Sequence, residues 1–256
     1  MPWLLIVKVA NMKRSVLGFL GLFLMFSVQA SATTFSSNTT QTTLVELYTS
    51  QGCSSCPPAE RWLNGLVEHP DLWTGFIPLA FHVDYWDRLG WKDIYAKPEH
   101  TRRQYQYQKD GNVRVVYTPG FFANGKEWRG WSNWFETSMP ASTKEVGVLT
   151  LEMNGNQISA AFDNEKRSAR VLNVAILGFD IKTAIKAGEN GGEELPQEFV
   201  VLGNSQAIST NGQWQLSLPS VSNKANKYAL VGWVSDDDNQ APIQATGGWL
   251  PNEVIR

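Results

Sequence analysis

The 256-residue chain has two cysteines and three histidines. With no cysteine outside one close pair, disulfide staples are not what holds its fold together. No block of basic residues occurs and the formal charge is -2, which argues against nucleic acid and anionic membranes as partners. After residue 28 nothing approaches 18 consecutive apolar residues, so no later segment is a candidate membrane span. No histidine follows His100. Beyond residue 140 no serine, histidine and acid set, phosphate loop or pair of catalytic carboxylates can be drawn, so any legible chemistry lies in the first half. The eleven tryptophans are scattered and read as packing residues.

The N-terminus reads as an export signal. Lys13-Arg14 precede an apolar stretch over residues 16–28, and Val28-Gln29-Ala30 places small residues where a signal peptidase cuts. The expectation is a signal peptide over 1–30 with Met12 as the true start, and a periplasmic or secreted protein cleaved near Ala30. The alternative is a membrane anchor drawn from residues 4–28, with Lys13-Arg14 near a surface. Cleavage removes three cations and no acid, taking the formal charge from -2 to -5.

Cys53 and Cys56 stand where an apolar run over residues 44–49 breaks at Gly52 and restarts in a helical pattern. They read as a dithiol or disulfide pair at a strand-to-helix junction. Residues 31–41, rich in Ser and Thr, read as a flexible leader. Strands are expected at 44–49 and 76–83, with Pro78 weakening the second, and at 113–117. Helices are expected at 57–67, behind Pro57-Pro58 in a first turn, at 98–109 and at 131–138. Asn124-Gly125 marks a hairpin. This order predicts an α/β domain over 42–140 with a mixed central sheet flanked by helices. Residues 141–256 contain many short alternating segments, with 199–202 and 206–209 expected as two separate strands, and predict an all-β sandwich-like domain. It either docks on the first domain and restricts substrates by shape, or stands apart as a recognition module. Within it, Gly188-Glu-Asn-Gly-Gly lacks calcium-loop spacing and reads as a conformationally demanding turn.

The first domain resembles the thioredoxin-like superfamily, on the strength of Cys53-Ser-Ser-Cys56 after a strand and Thr118-Pro119 before the hairpin. The resemblance implies that Cys53 is the nucleophile, Cys56 the resolving thiol and Pro119 a cis proline facing them, with Thr118 offering backbone groups to an extended substrate. More narrowly, Glu46-Leu-Tyr-Thr-Ser-Gln-Gly-Cys, His82-Val-Asp-Tyr-Trp-Asp and the Gly188 segment resemble a largely uncharacterised family of exported bacterial proteins. That resemblance covers nearly the whole mature chain, although Gly120 stands where the family often has Gln.

Thiol exchange needs a thiolate, and a helix N-terminus lowers the pKa of Cys53 toward one. Neutral Ser54 and Ser55 imply a milder, less oxidising pair. Glu46 interrupts an apolar strand and is expected either to relay protons to Cys56 or to form an ion pair with Lys or Arg. His82, Asp84, Trp86 and Trp91 are expected at the floor and wall of a substrate groove, or else as a satisfied loop. Arg102-Arg103 read as the solvated face of a helix. The leading function is thiol-disulfide oxidoreduction without an organic cofactor, on exported thiol or disulfide-containing proteins or small thiols, together with an unknown redox partner. The alternatives are copper or zinc handling through Cys53, Cys56 and His82, and a non-catalytic binding protein on the same scaffold.

Overall fold

The computed structural model describes Met1 and residues 32–132, 139–163, 168–221 and 223–251. The signal-peptide segment apart from Met1, and positions 133–138 of the helix expected at 131–138, lie outside the described residues. Among the described residues no helix is long and apolar enough to cross a membrane.

The chain runs β1 (Thr33–Ser36), β2 (Thr43–Thr49), α1 (Pro57–Asn64), β3 (Phe76–His82), α2 (Pro98–Lys109), β4 (Gly120–Ala123) and β5 (Lys126–Glu127). It continues as β6 (Val148–Asn154), β7 (Gln157–Asp163), β8 (Arg170–Phe179), β9 (Ile181–Ala184), β10 (Glu194–Gln197), β11 (Val200–Ser209), β12 (Gln213–Ser217), β13 (Lys227–Asp236) and β14 (Pro242–Trp249). A mixed α/β region is thus followed by a β-rich, sandwich-like one.

The two regions share a sheet. Eight strands lie in the order β14-β13-β8-β11-β3-β2-β4-β5, and the seam is a parallel contact between Val200 and Ala80. There the Ala80 N–H donates to the Phe199 carbonyl at 2.8 Å. Of the two arrangements left open by the sequence, docking is the one that forms. The seam also explains Pro78. Period-2 alternation turns its missing N–H toward the same edge as Ala80, where β11 has not yet begun, so no ladder bond is lost.

A second sheet, β1-β6-β7-β12, covers the β-rich part. Along β8 the alternating side chains divide between two cores. Ala175, Leu177 and Phe179 join the core of the α/β region, while Leu172, Val174 and Ile176 face the second sheet. A strand buried on both faces reads as a continuous apolar run, which is how this segment looks in the sequence.

Three expectations are corrected. Residues 33–36 are not a flexible leader but β1, paired antiparallel with β6, because Phe35 has a core to pack against. Residues 113–117 form no strand, and Val115 is exposed. The segments 199–202 and 206–209, read as two strands, are one strand with an irregularity between Val201 and Gly203. The Asn124-Gly125 hairpin forms, with both residues at positive φ. A Cβ on Gly125 would meet that of Ala241 at 2.6 Å, so no larger residue fits there.

Candidate redox site at the cysteine pair

Parallel β2 and β3 place Thr49 directly opposite His82 at their carboxyl ends. β4 runs antiparallel on the other side of β2, with Gly120 opposite Tyr48. The turn after β2, the segment after β3 and the segment before β4 therefore meet at one end of the sheet, where open α/β sheets gather their functional loops.

Cys53 and Cys56 form a disulfide in that turn, and both are fully buried. The turn is closed by Cys53 N–H to the Ser50 carbonyl at 3.1 Å and Cys56 N–H to the Cys53 carbonyl at 3.2 Å. Cys56 then caps α1, with Pro57 and Pro58 in the first turn, where a missing N–H costs nothing. The Thr118–Pro119 peptide bond is cis. The Thr118 hydroxyl donates to Cys53 Sγ at 3.3 Å and accepts from Trp86 Nε1 at 2.8 Å. Ser55 Oγ also lies 3.3 Å from Cys53 Sγ. A disulfide sulfur carries no hydrogen, so the serine is the donor. Thr118 is thus brought to Cys53, Trp86 to Thr118, and Pro119 follows Thr118 in the chain.

A polar cluster is buried at the ends of β2 and β3. His82 Nδ1 and Asp93 Oδ2 are 2.6 Å apart, and Asp93 also accepts the backbone N–H groups of Gln51 at 2.8 Å and Tyr95 at 2.9 Å. Burial opposes the charge on His82, but Asp93 and Glu60 outweigh it and its pKa is raised. Burial likewise opposes the charge on Asp93, and His82 with the two N–H donors holds its carboxyl below the usual range. Beside this pair, the Thr49 hydroxyl donates to Glu60 Oε1 at 2.6 Å. Glu60 is 5% exposed, and burial pushes its pKa up against the pull of His82 and Thr49.

Glu60 lies one helical turn beyond Cys56, whose carbonyl accepts the Glu60 N–H at 3.0 Å. It also lines a cavity of about 320 Å³ between α1 and the segment before β11, together with Ser54, Pro57, Arg61, Asn190 and Glu193. Glu60 is not among the residues that stand out in the sequence. The signal was available, since residue 60 is three positions before Leu63 on the inward face of α1.

Glu46 is elsewhere. Three residues before Thr49, it points to the opposite face of the sheet, where Arg103 Nε donates to its Oε1 at 2.6 Å and the Tyr107 hydroxyl donates to Oε2. Of its two expected roles the ion pair is the one that forms. Arg103 is correspondingly not a solvated helix residue but lies over the rings of Phe81, Tyr107 and Trp233. Asp84 is occupied by α2, accepting from Thr101 Oγ1 at 2.6 Å. Trp91 Nε1 donates to Gln51 Oε1 at 3.0 Å, which puts it behind the cysteine turn. Among the described residues no three His, Cys, Asp or Glu side chains are arranged to hold a metal ion, so the set Cys53, Cys56 and His82 is not brought together as ligands.

The 188–192 segment of the β-rich region reaches this site. Asn190 Nδ2 donates to the carbonyls of Gln51 at 2.9 Å and Cys53 at 3.0 Å. Glu189 Oε2 accepts the Ser54 N–H at 3.2 Å. The demanding turn expected there is present, with Gly188 and Gly192 at positive φ, and it touches the cysteine turn.

A protein family described as "Protein of unknown function (DUF1223)" matches residues 44–235. A crystal structure of a protein from Agrobacterium tumefaciens is similar in fold, at TM-score 0.59 and 23% identity, over 82% of this chain and 95% of that one. HBP35 of Porphyromonas gingivalis is similar at TM-score 0.51 and 13% identity, over 84% of this chain and 76% of that one. No curated protein matches the chain.

Proposed function

The chain belongs to this family of unknown function, DUF1223, and we propose that within it the protein is a thiol-disulfide exchange protein of the periplasm or cell exterior. The thioredoxin-like fold and its buried Cys53–Cys56 disulfide are consistent with redox chemistry. The observation that carries the reading is the contact of Thr118, the residue before a cis proline, with Cys53 Sγ in a disulfide that caps a helix. Helix N-termini favour thiolates.

A substrate thiolate attacks Cys53 Sγ. The Cys53–Cys56 bond breaks, a mixed disulfide forms on Cys53, and Cys56 leaves as a thiolate that takes a proton from the Glu60 carboxyl. A second substrate thiolate then attacks the substrate sulfur of the mixed disulfide. It releases Cys53 as a thiolate and leaves the substrate oxidised by the two electrons that reduced the pair. The reverse sequence starts from the Cys53 thiolate, with Glu60 as the proton acceptor for Cys56. Thr118, Pro119 and Trp86 line the approach to Cys53, and the substrates are exported proteins with thiols or disulfides.

A second reading rests on the complete burial of both cysteines, which suits a structural bond in a binding protein. One experiment separates them. The reduction potential of the pair is measured in defined thiol buffers with mass-shift trapping, alongside a Cys56→Ser variant offered substrate disulfides. A reversible midpoint between about -120 and -270 mV, with a mixed disulfide trapped on Cys53, is the expected result. A midpoint below about -300 mV with no trapped adduct would establish the structural bond instead.

A further inference from the structure

The redox reading leaves one conflict: a disulfide that exchanges with partners has no exposed sulfur. Ser54 and Ser55, between the two cysteines, are exposed, so the turn reaches the surface while its sulfurs do not. What holds the turn in that position comes largely from the β-rich region. The Asn190 carboxamide ties two turn carbonyls, Gln51 and Cys53, and is itself buried, at 7% exposure. The exposed Glu189 carboxylate takes the Ser54 N–H. The segment is braced from behind, because a Cβ on Gly188 would lie 3.0 Å from that of Trp91, and Trp91 in turn bonds Gln51.

We propose that the 188–192 loop is the specificity element of this redox site: Asn190 and Glu189 keep the disulfide closed to small thiols and yield to polypeptide partners. The inference rests on the exchange reading above. Its chemistry follows from what the loop satisfies. When Asn190 and Glu189 withdraw, the Gln51 carbonyl and the Ser54 N–H lose these partners and the Cys53 carbonyl keeps only the Cys56 N–H. A buried polar group left without a partner is costly, so the open state is favoured only by a partner that supplies the missing groups. An extended polypeptide offers alternating N–H and C=O groups of the required kinds. A small thiol such as dithiothreitol or glutathione cannot replace all three bonds. The loop therefore discriminates by hydrogen-bond replacement.

The test is the rate at which dithiothreitol reduces the pair, the reagent being oxidised to its cyclic disulfide, in the mature protein and in Asn190→Ala and Glu189→Ala. The rate with an unfolded cysteine-containing polypeptide is followed in parallel, and the reduction potential is measured for each protein. The expected result is reduction by dithiothreitol accelerated about tenfold or more in Asn190→Ala, as two hydrogen bonds are lost, and several-fold in Glu189→Ala. The polypeptide rate changes little, so the ratio of the two rates falls. Asn190→Asp, which keeps an oxygen but loses the donor N–H, behaves like Asn190→Ala. If Asn190→Ala fails to fold, the exposed Glu189→Ala carries the test. Unchanged rate ratios in folded variants overturn the gate while a midpoint in the exchange range leaves the redox reading standing. A midpoint below that range removes the redox reading and the gate with it.

Discussion

Burial outweighs every favourable neighbour of Glu60. Its pKa is raised by desolvation against the pull of His82 on β3, the Thr49 hydroxyl and Arg61, with Asp93 pushing the same way as burial. A group whose folded pKa lies above its unfolded value contributes stability in full below the unfolded value, here about 4.5, and loses it as pH rises through the folded pKa. His82 has the same sign from its own unfolded value of 6.5. Asp93 has the opposite one, contributing above its unfolded value of 3.8 and losing that as pH falls through its lowered folded pKa. Glu60→Gln keeps the shape and the oxygen that Thr49 bonds but carries no titrating proton. Denaturant titrations from pH 4.5 upward are expected to show a shallower decline in the variant than in the wild type, with the His82 component retained. Thiol exchange in Glu60→Gln is expected to slow about tenfold or more, in the range of general acid-base effects. Equal pH slopes and equal exchange rates in the two proteins would take Glu60 out of the proton path. The sequence made Glu46 visible because a lone acid in an apolar strand stands out, whereas an acid in an amphipathic helix does not.

At the scale of elements, the sequence signals worked where local chemistry dictates local shape. Pro57-Pro58 open α1, Asn124-Gly125 turn the hairpin, and residues 98–109 form α2 as the pattern predicts. Val113 to Tyr117 form no strand because β propensity needs a partner to pair with, and among the described residues no strand pairs with that segment. The 188–192 loop was legible as a demanding turn and illegible as part of the site, because its partners are well over 130 positions away in the chain. Gly188 has φ of +77° and stands against Trp91. Gly188→Ala is therefore expected to destabilise the loop by about 1 kcal/mol or more through its backbone alone. Hydrogen exchange at the Cys53 and Ser54 amides should accelerate in that variant while the β2 and β3 amides stay protected. If the turn amides are as protected as in the wild type, the loop is not what fixes the turn.

At the scale of the whole fold, the described residues between 32 and 251 are built around a sheet that crosses the boundary suggested by the sequence near residue 140. The α/β core draws on Ala175, Leu177 and Phe179 of β8, Val201 of β11 and Trp233 of β13 as well as on β2, β3 and α1. A fragment of residues 42–140 would therefore expose one edge of β3 and an apolar face normally covered by the β-rich region, an invitation to aggregation. Expressed alone it is expected to lack dispersed, cooperative unfolding behaviour by near-ultraviolet circular dichroism and denaturant titration. A cooperatively folded fragment would mean that the seam at Ala80 and Val200 adds little to stability.

Short-range chemistry in the chain determined the cysteine turn, the helix starts, the hairpin and the alternation of the β-rich half, because these depend on residues within a few positions of one another. Tertiary structure decided which carboxyl meets the Thr49 hydroxyl, which arginine lies over aromatic rings, and that a glycine-rich loop from the second half bonds the cysteine turn of the first. A strand's period says that Glu46 and Thr49 face opposite ways, but only the packing of α1 and α2 says which face holds the disulfide. Burial then separates the acids: the same side-chain chemistry is an ion pair against Arg103 and a carboxyl with a raised pKa beside Thr49.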